Sequence, residues 1–247
     1  MRAEASTSIR LDDVHLALGN RAFHFDCGFE RGRITAVVGP SGSGKSTLLN
    51  LVSGFERPDS GRIEIAGRDV TDLAPAERPV SLVFQDNNLF SHLDLFTNIG
   101  LGIHPAMRLT PADRKAISDA LTRVGLMGYE RRLPGSLSGG ERQRVAFARA
   151  LVRHRPVLLL DEPFAALDPG LRAAMVELLA DLHAETRATI LIVTHDPRDV
   201  ERLADDVAFI DDGHVLVKAD KTTFFGRHDI AAVQNFLGEH AFTRQSP

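Results

Sequence analysis

Three short apolar runs stand out along the chain: Ile34-Thr35-Ala36-Val37-Val38, Val157-Leu158-Leu159-Leu160 and Thr189-Ile190-Leu191-Ile192-Val193. Runs of this length, barely interrupted by polar residues, predict strands buried on both faces of a sheet. A glycine-rich turn follows the first, and Leu48-Leu49 then reads as the apolar start of a helix. Between the second and third runs, Met175, Leu178, Leu179 and Leu182 recur at helical spacing, which gives a strand–helix–strand unit. Such alternation predicts an α/β fold with a mainly parallel sheet.

The middle of the chain reads differently. From Leu89 to His154 no comparable apolar strand occurs. Thr110-Pro111 combines a capping residue with proline at a first helical position, and Ile117, Leu121 and Val124 then mark one helical face. Gly135 to Gly140 interrupts the pattern before a second helix carrying Val145, Ala148, Leu151 and Val152. A helical subdomain inserted into the α/β core is the expected arrangement. Beyond about Gly226 the pattern is uninformative.

Bulk properties narrow the function. A chain of 247 residues can form one generous domain, or a core with a smaller subdomain. A hydrophobic share of 43% and a charged share of 25% are ordinary for a globular protein. The net charge of −4 gives no basic footprint for nucleic acid and argues against direct binding to an anionic membrane surface. The single cysteine, Cys27, excludes an internal disulfide and fits a reducing compartment. No apolar stretch at the N-terminus resembles a secretion signal, and no run approaches the roughly 18–20 residues that span a bilayer. Any role at a membrane is expected to come through another chain.

The chemistry begins at Gly39-Pro40-Ser41-Gly42-Ser43-Gly44-Lys45-Ser46, which matches the phosphate-binding loop G-x-x-x-x-G-K-[ST]. Glycines let the backbone wrap phosphates closely and present N–H groups at a helix N-terminus, where the dipole favours anions. Lys45 is expected to reach the terminal phosphates and Ser46 to ligate Mg²⁺. The loop lies between a predicted strand and a predicted helix, as that mechanism requires. Val157-Leu158-Leu159-Leu160-Asp161-Glu162 is a strand ending in two carboxylates. By itself the pair could simply be a solvated strand end. Beside a phosphate loop, Asp161 is the expected metal-side partner and Glu162 the group that orients the attacking water.

Leu137-Ser138-Gly139-Gly140-Glu141 has capping-box spacing between Ser138 and Glu141, and capping alone would explain those two residues. The adjacent glycines are harder to explain, since each costs up to about 1 kcal/mol against alanine in a helix. Bare backbone at a helix N-terminus is what a second anion site would need. Gln85, Asp168 and His195 carry no signal when taken singly; a lone histidine at a strand end is more often structural.

Taken in order, these motifs resemble the ABC ATPase family over residues 10 to 225. The resemblance implies a P-loop NTPase (RecA-like) core with a mainly parallel sheet, an inserted helical subdomain and an N-terminal antiparallel β element. It divides the chain into residues 8–88 and 155–226 for the core, 89–154 for the helical part and 227–247 for a tail. It also implies a head-to-tail homodimer that sandwiches two ATP molecules with Mg²⁺. In each site Gly39 to Ser46, Thr47, Gln85, Asp161, Glu162 and His195 would come from one chain, and Ser138, Gly139, Gly140 and Glu141 from the other. Gln85 would sense the γ-phosphate and the metal, His195 would act as a switch, and Asp168 would shape the dimer contact. Partners implied are two permease subunits, or one fused permease, and indirectly a periplasmic solute-binding protein, at the cytoplasmic face of a bacterial inner membrane.

A narrower resemblance, to the ATPase subunit of bacterial thiamine importers, rests on Arg78-Pro79-Val80-Ser81-Leu82-Val83-Phe84-Gln85-Asp86-Asn87-Asn88-Leu89-Phe90-Ser91-His92-Leu93, with Asn98-Ile99-Gly100-Leu101-Gly102 and Leu133-Pro134-Gly135. This region is expected to grip the permease. The sequence departs from the family at Asp86 (usually glutamate), at Ala165 (usually serine) and at Leu18, which falls where an aromatic ring normally stacks on adenine. Phe23 and His15 are nearby rings that could supply one. Importers of iron(III), polyamine or molybdate are the alternative within the family. A chromosome-structuring ATPase would insert a long coiled coil before Leu137, where only about ninety residues without heptads intervene. A ribosome-associated factor would carry two cassettes, and a small-metabolite kinase would lack the Leu137–Glu141 motif.

Overall fold

A computed structural model describes residues 7–84, 88–165, 167–227 and 229–241, with only the backbone described for 239–241. Gln85 and Asp86 lie outside the described residues.

The first described elements are two long antiparallel strands, β1 (Thr7–Leu18) and β2 (Arg21–Glu30), joined by a two-residue turn at Gly19-Asn20. Alternation along β1 buries Ile9, Leu11, Val14 and Leu16. Its register shifts between Leu11 and Val14, and Asp13 there has a φ of 47°. β3 (Ile34–Val38) follows, buried at all five positions, and leads into α1 (Lys45–Ser53). β4 (Ser60–Ile65) and β5 (Arg68–Asp69) extend the antiparallel lobe, β4 pairing with β1.

After β6 (Val80–Val83) come three helices, α2 (Leu95–Ile103), α3 (Pro111–Arg123) and α4 (Gly139–Leu151). Then follow β7 (Val157–Asp161), α5 (Pro169–Thr186), β8 (Thr189–Val193), α6 (Pro197–Leu203), β9 (Asp206–Asp211), β10 (His214–Asp220), α7 (Lys221–Phe225) and α8 (Ala231–Ala241). The insertion is helical, as its pattern predicts. The stretch after Gly226 does form a helix, and Phe236 packs against Phe209 and Phe224.

All described strands join one sheet in the order β5-β4-β1-β2-β10-β9-β3-β8-β7-β6. From β9 to β6 every pairing is parallel, whereas β1, β2, β4 and β5 pair with one another antiparallel. The two halves meet where β10 and β2 are bridged at a single pair, His214 with His24. Two apolar clusters cover the faces, and the central strands feed both: Leu158 and Leu160 enter one, Val157 and Leu159 the other. The parallel arrangement brings the C-terminal ends of β3, β8 and β7 side by side, the place where open α/β sheets carry their sites.

Candidate active site

The loop between β3 and α1 is shaped by what lies under it. Gly39 has a φ of 144°, and a Cβ there would lie 2.0 Å from the Ile210 carbonyl oxygen. Gly44 has a φ of 114°, and its Cβ would lie 3.0 Å from the Phe23 ring. Only glycine fits either position. The loop is closed by the Ser43 N–H donating to the Pro40 carbonyl (3.1 Å) and tied down by the Gly213 N–H donating to the Ser43 carbonyl (2.8 Å). Lys45 folds over it, its Nζ donating to the carbonyls of Gly39 (2.9 Å) and Pro40 (2.7 Å). Burial pulls the Lys45 ammonium below its ordinary pKa, opposed by the charges of Glu162 and Asp161. The Ser43 hydroxyl is buried and has no hydrogen-bond partner among the described residues. A cradle with an orphaned polar atom and a cation curled against its own backbone suits an incoming anion.

Asp161 ends β7 across from Ser46. Burial raises its pKa, and a hydrogen bond with the Ser46 side chain lowers it. A hydroxyl and a carboxylate in reach of each other form an all-oxygen donor set that fits Mg²⁺. Glu162 is held at a φ of 46°, rare for a residue with a Cβ, while its N–H donates to the Val193 carbonyl (3.1 Å). Its Oε2 lies 3.6 Å from His195 Nδ1. The turn that carries His195 is pinned from behind. Thr194 Oγ1 donates to Asp199 Oδ2 (2.8 Å) and accepts from the Asp196 N–H (3.1 Å). Arg172 on α5 makes two hydrogen bonds to Asp199, at 3.1 and 2.6 Å, and reaches Asp196 at 2.9 Å. Burial pushes the Asp196 carboxyl up, but hydrogen bonds from Arg198 and the charges of Arg172 and Arg198 outweigh it and hold it at about 2.

The second motif sits at the start of α4. Ser138 and Glu141 form the capping box: the Ser138 N–H donates to Glu141 Oε2 (2.8 Å) and the Glu141 N–H to Ser138 Oγ (3.2 Å). Those bonds lower the Glu141 pKa. The two glycines differ. A Cβ on Gly140 would press on Leu171 at 2.7 Å and Leu167 at 3.2 Å, whereas at Gly139 the nearest atom is 4.0 Å away. Packing therefore explains Gly140, and only Gly139 is bare towards open space. Gln143, one turn on, donates from Nε2 to the Pro163 carbonyl, and Phe147 stacks on Phe164. α4 is thus fastened to the segment that follows Glu162. Asp168 accepts from the Leu171 N–H at 3.0 Å, so it caps α5.

Leu18 ends β1 paired with Arg21, at 38% exposure. Arg21 stands 5.5 Å over the Phe23 ring, and its Nη1 lies 3.3 Å from where a Cβ on Gly42 would be. This row faces the loop. Neither nearby ring is available to a base: Phe23 is buried beneath Gly44, and His15 stacks on His24 on the other face of the hairpin. Arg21, Phe23 and the Arg172–Asp196–Asp199 group carry no local motif; only tertiary pairing reveals them.

A family model described as ABC transporter matches residues 23–165. The chain belongs to the ABC transporter family. This ABC ATPase is 56% identical over 234 residues to the thiamine import ATP-binding protein ThiQ of Rhizobium meliloti (strain 1021), covering 95% of this chain and 98% of that protein. It is 46% identical over 214 residues to ThiQ of Photobacterium profundum, covering 87% and 89% respectively. Its fold is similar to a dimeric, post-hydrolysis structure of the ATP-binding cassette MJ0796 bound to ADP and Pi, with a TM-score of 0.77 and 29% identity over 86% of this chain and 98% of that one. As a member of the family, it is an ATPase coupled to transport. Among the described residues no helix is long and apolar enough to cross a membrane.

Proposed function

We propose that this chain powers the import of thiamine, including phosphorylated thiamine, as a homodimer bound beneath a membrane permease. The supporting observation is similarity over nearly the whole chain to ThiQ proteins, which are thiamine import ATP-binding proteins. The core (8–88 and 155–226) binds and hydrolyses ATP, the helical part (89–154) presents the second motif, and residues 227–247 form a tail. Two permease subunits, or one fused permease, hold the dimer at the cytoplasmic face of the inner membrane, fed by a periplasmic solute-binding protein. Phe90 and Leu133 are exposed apolar residues in the region assigned to the permease contact. Asn98 shapes that region, its buried side chain accepting from the Phe90 N–H and donating to the carbonyls of Phe90, Leu93 and Asp94.

At the site, Lys45 exchanges the Gly39 and Pro40 carbonyls for phosphate oxygens, and Ser43 supplies its unpartnered hydroxyl. The loop from Gly39 to Ser46, with Pro40, Ser41, Gly42 and Thr47, wraps the phosphates. Ser46, Gln85 and Asp161 hold Mg²⁺, which when bound supplies charge neutralisation at those phosphates. Glu162 orients the attacking water and His195 steadies the γ-phosphate. Ser138, Gly139, Gly140 and Glu141 of the other chain close the site. Phosphoryl transfer demands positioning and charge stabilisation more than covalent chemistry, and these residues provide both.

Deleting the gene in its host should abolish high-affinity uptake of labelled thiamine. Wild-type protein should restore uptake, and Glu162→Gln should fail to do so while still forming an ATP-dependent dimer. Thiamine uptake unaffected by deletion, with loss of uptake for iron(III), polyamine or molybdate, would reassign the solute.

A further inference from the structure

Away from the nucleotide loop, Asp13, His15 and His24 converge until one carboxylate oxygen and two ring nitrogens lie within 4.8 Å of one another. Asp13 Oδ1 is 3.1 Å from His15 Nε2 and 2.9 Å from His24 Nε2. The backbone builds this convergence. Antiparallel pairing sets His15 directly opposite His24, so both rings stand on one face, stacked at 4.2 Å with 9° between their planes. The bulge between Leu11 and Val14 carries Asp13 at its positive φ, and the carboxylate reaches both rings. His214 follows across the next strand, edge-on to His24 at 5.9 Å. A row of three histidines therefore crosses the single bridge between the antiparallel lobe and the parallel core.

Two imidazole nitrogens, borderline donors, outnumber the one hard carboxylate oxygen, and such a set suits Zn²⁺ or its late transition-metal neighbours better than Mg²⁺ or Ca²⁺. Metal–ligand bonds of about 2.0–2.1 Å place adjacent ligand atoms about 2.8–3.4 Å apart, depending on coordination number. The two Asp13–His separations, 3.1 and 2.9 Å, match that spacing, and the stacked rings need only rotate apart for both Nε2 lone pairs to converge on one ion. All three side chains are open to solvent, so an ion has access.

We propose that Asp13, His15 and His24 form a binding site for a divalent transition-metal ion of the Zn²⁺ class, with His214 beside it at the lobe–core seam. The site is separate from the Mg²⁺ donors at Ser46 and Asp161. Its position gives it a structural effect. The His24 N–H donates to the Gly213 carbonyl (2.9 Å), and Gly213 in turn holds the Ser43 carbonyl of the phosphate loop. An ion clasping His24 to β1 braces the strand whose neighbouring residue, Phe23, floors that loop.

The test uses full-length, EDTA-treated, nucleotide-free protein titrated with ZnCl₂ by calorimetry, and thermal unfolding with and without Zn²⁺. Removing even an outer-shell partner of a metal site costs 10–100-fold in affinity, so the His15→Asn/His24→Asn double variant should bind Zn²⁺ at least about 100-fold more weakly. Asp13→Asn, which tolerates the left-handed backbone, should weaken binding at least about tenfold. His92→Asn, on a different loop, should bind as wild type does. Zinc should raise the unfolding midpoint of wild type and of His92→Asn but leave the double variant where it stands in EDTA. In EDTA alone, similar midpoints for wild type and Asp13→Asn establish that the comparison is between folded proteins. Indistinguishable zinc isotherms for wild type and the double variant, or no isotherm for wild type at millimolar Zn²⁺, would overturn the proposal.

Discussion

Replacing Asp199 with alanine probes how the turn beneath His195 is held. Asp199 is buried and accepts three hydrogen bonds, two from Arg172 and one from Thr194 Oγ1. Removing one member of a buried ion pair costs about 3–5 kcal/mol, because its partner is left enclosed and uncompensated. Here Arg172 keeps Asp196 at 2.9 Å, which places the expected loss near the lower end, about 3 kcal/mol. For a chain of this size each kcal/mol moves the unfolding midpoint by about 2–4 °C, so Asp199→Ala should lower it by about 6–12 °C. Asp199→Asn retains an acceptor for Thr194 and one contact to Arg172, and should cost about half as much. Circular dichroism melts give the stability, and steady-state ATPase with nucleotide titration gives the function. Turnover should fall because Thr194 also steadies the Asp196 N–H, while ATP affinity should hold because the Gly39–Ser46 loop is untouched. A midpoint within about 2 °C of wild type would show that the network does not carry the turn.

Two further outcomes follow from residues around the same site. Leu18→Tyr should tighten ATP binding by about 1 kcal/mol, roughly fivefold, by giving the base a flat partner, and wild type should accept GTP nearly as well as ATP; fluorescent-nucleotide titration checks both. Asp196 has a folded pKa of about 2, below its ordinary value of 3.8, so the stability it contributes is fully present above about pH 4 and is lost as pH falls towards 2. Acid unfolding followed by circular dichroism should therefore show Asp196→Asn losing less stability than wild type across that interval.

Much of the core was legible because its signals are local. Glycines, lysine and serine at fixed spacing between Val38 and Leu48 name the loop, and unbroken apolar runs name β3, β7 and β8. The outer strands of the sheet were harder to see. β5 is two residues long and exposed, and β1 mixes buried residues with Asp12, Asp13 and His15 around a bulge. Arg78 inverts the usual reading of a charge. It is buried and donates to the carbonyls of Leu51, Val52, Thr71 and Leu73, closing the C-terminal end of α1. Within the site, Phe23 and Arg172 act on residues more than twenty positions away, Gly44 and Asp196 or Asp199. No window of sequence contains both partners. The capping box at Ser138 was readable, but the reason for Gly140 was not, since Leu171 meets it only after α5 has packed.

The bond from Gln143 to Pro163 bears on how two nucleotides can communicate. In a head-to-tail dimer, one end of α4 faces the neighbouring protomer's ATP, and one turn further on the same helix grips the residue after Glu162 of its own protomer. In that proposed arrangement, a force exerted on Ser138 would pass along α4 and the Gln143–Pro163 bond to Glu162, the proposed hydrolytic carboxylate of the other site. Linkage is reciprocal, so a change in the setting of Glu162 must alter the grip on the neighbour's nucleotide by the same free energy. Under the proposed dimer, each protomer would carry one half of a two-way line between the sites, and the two hydrolysis events would be coupled rather than independent.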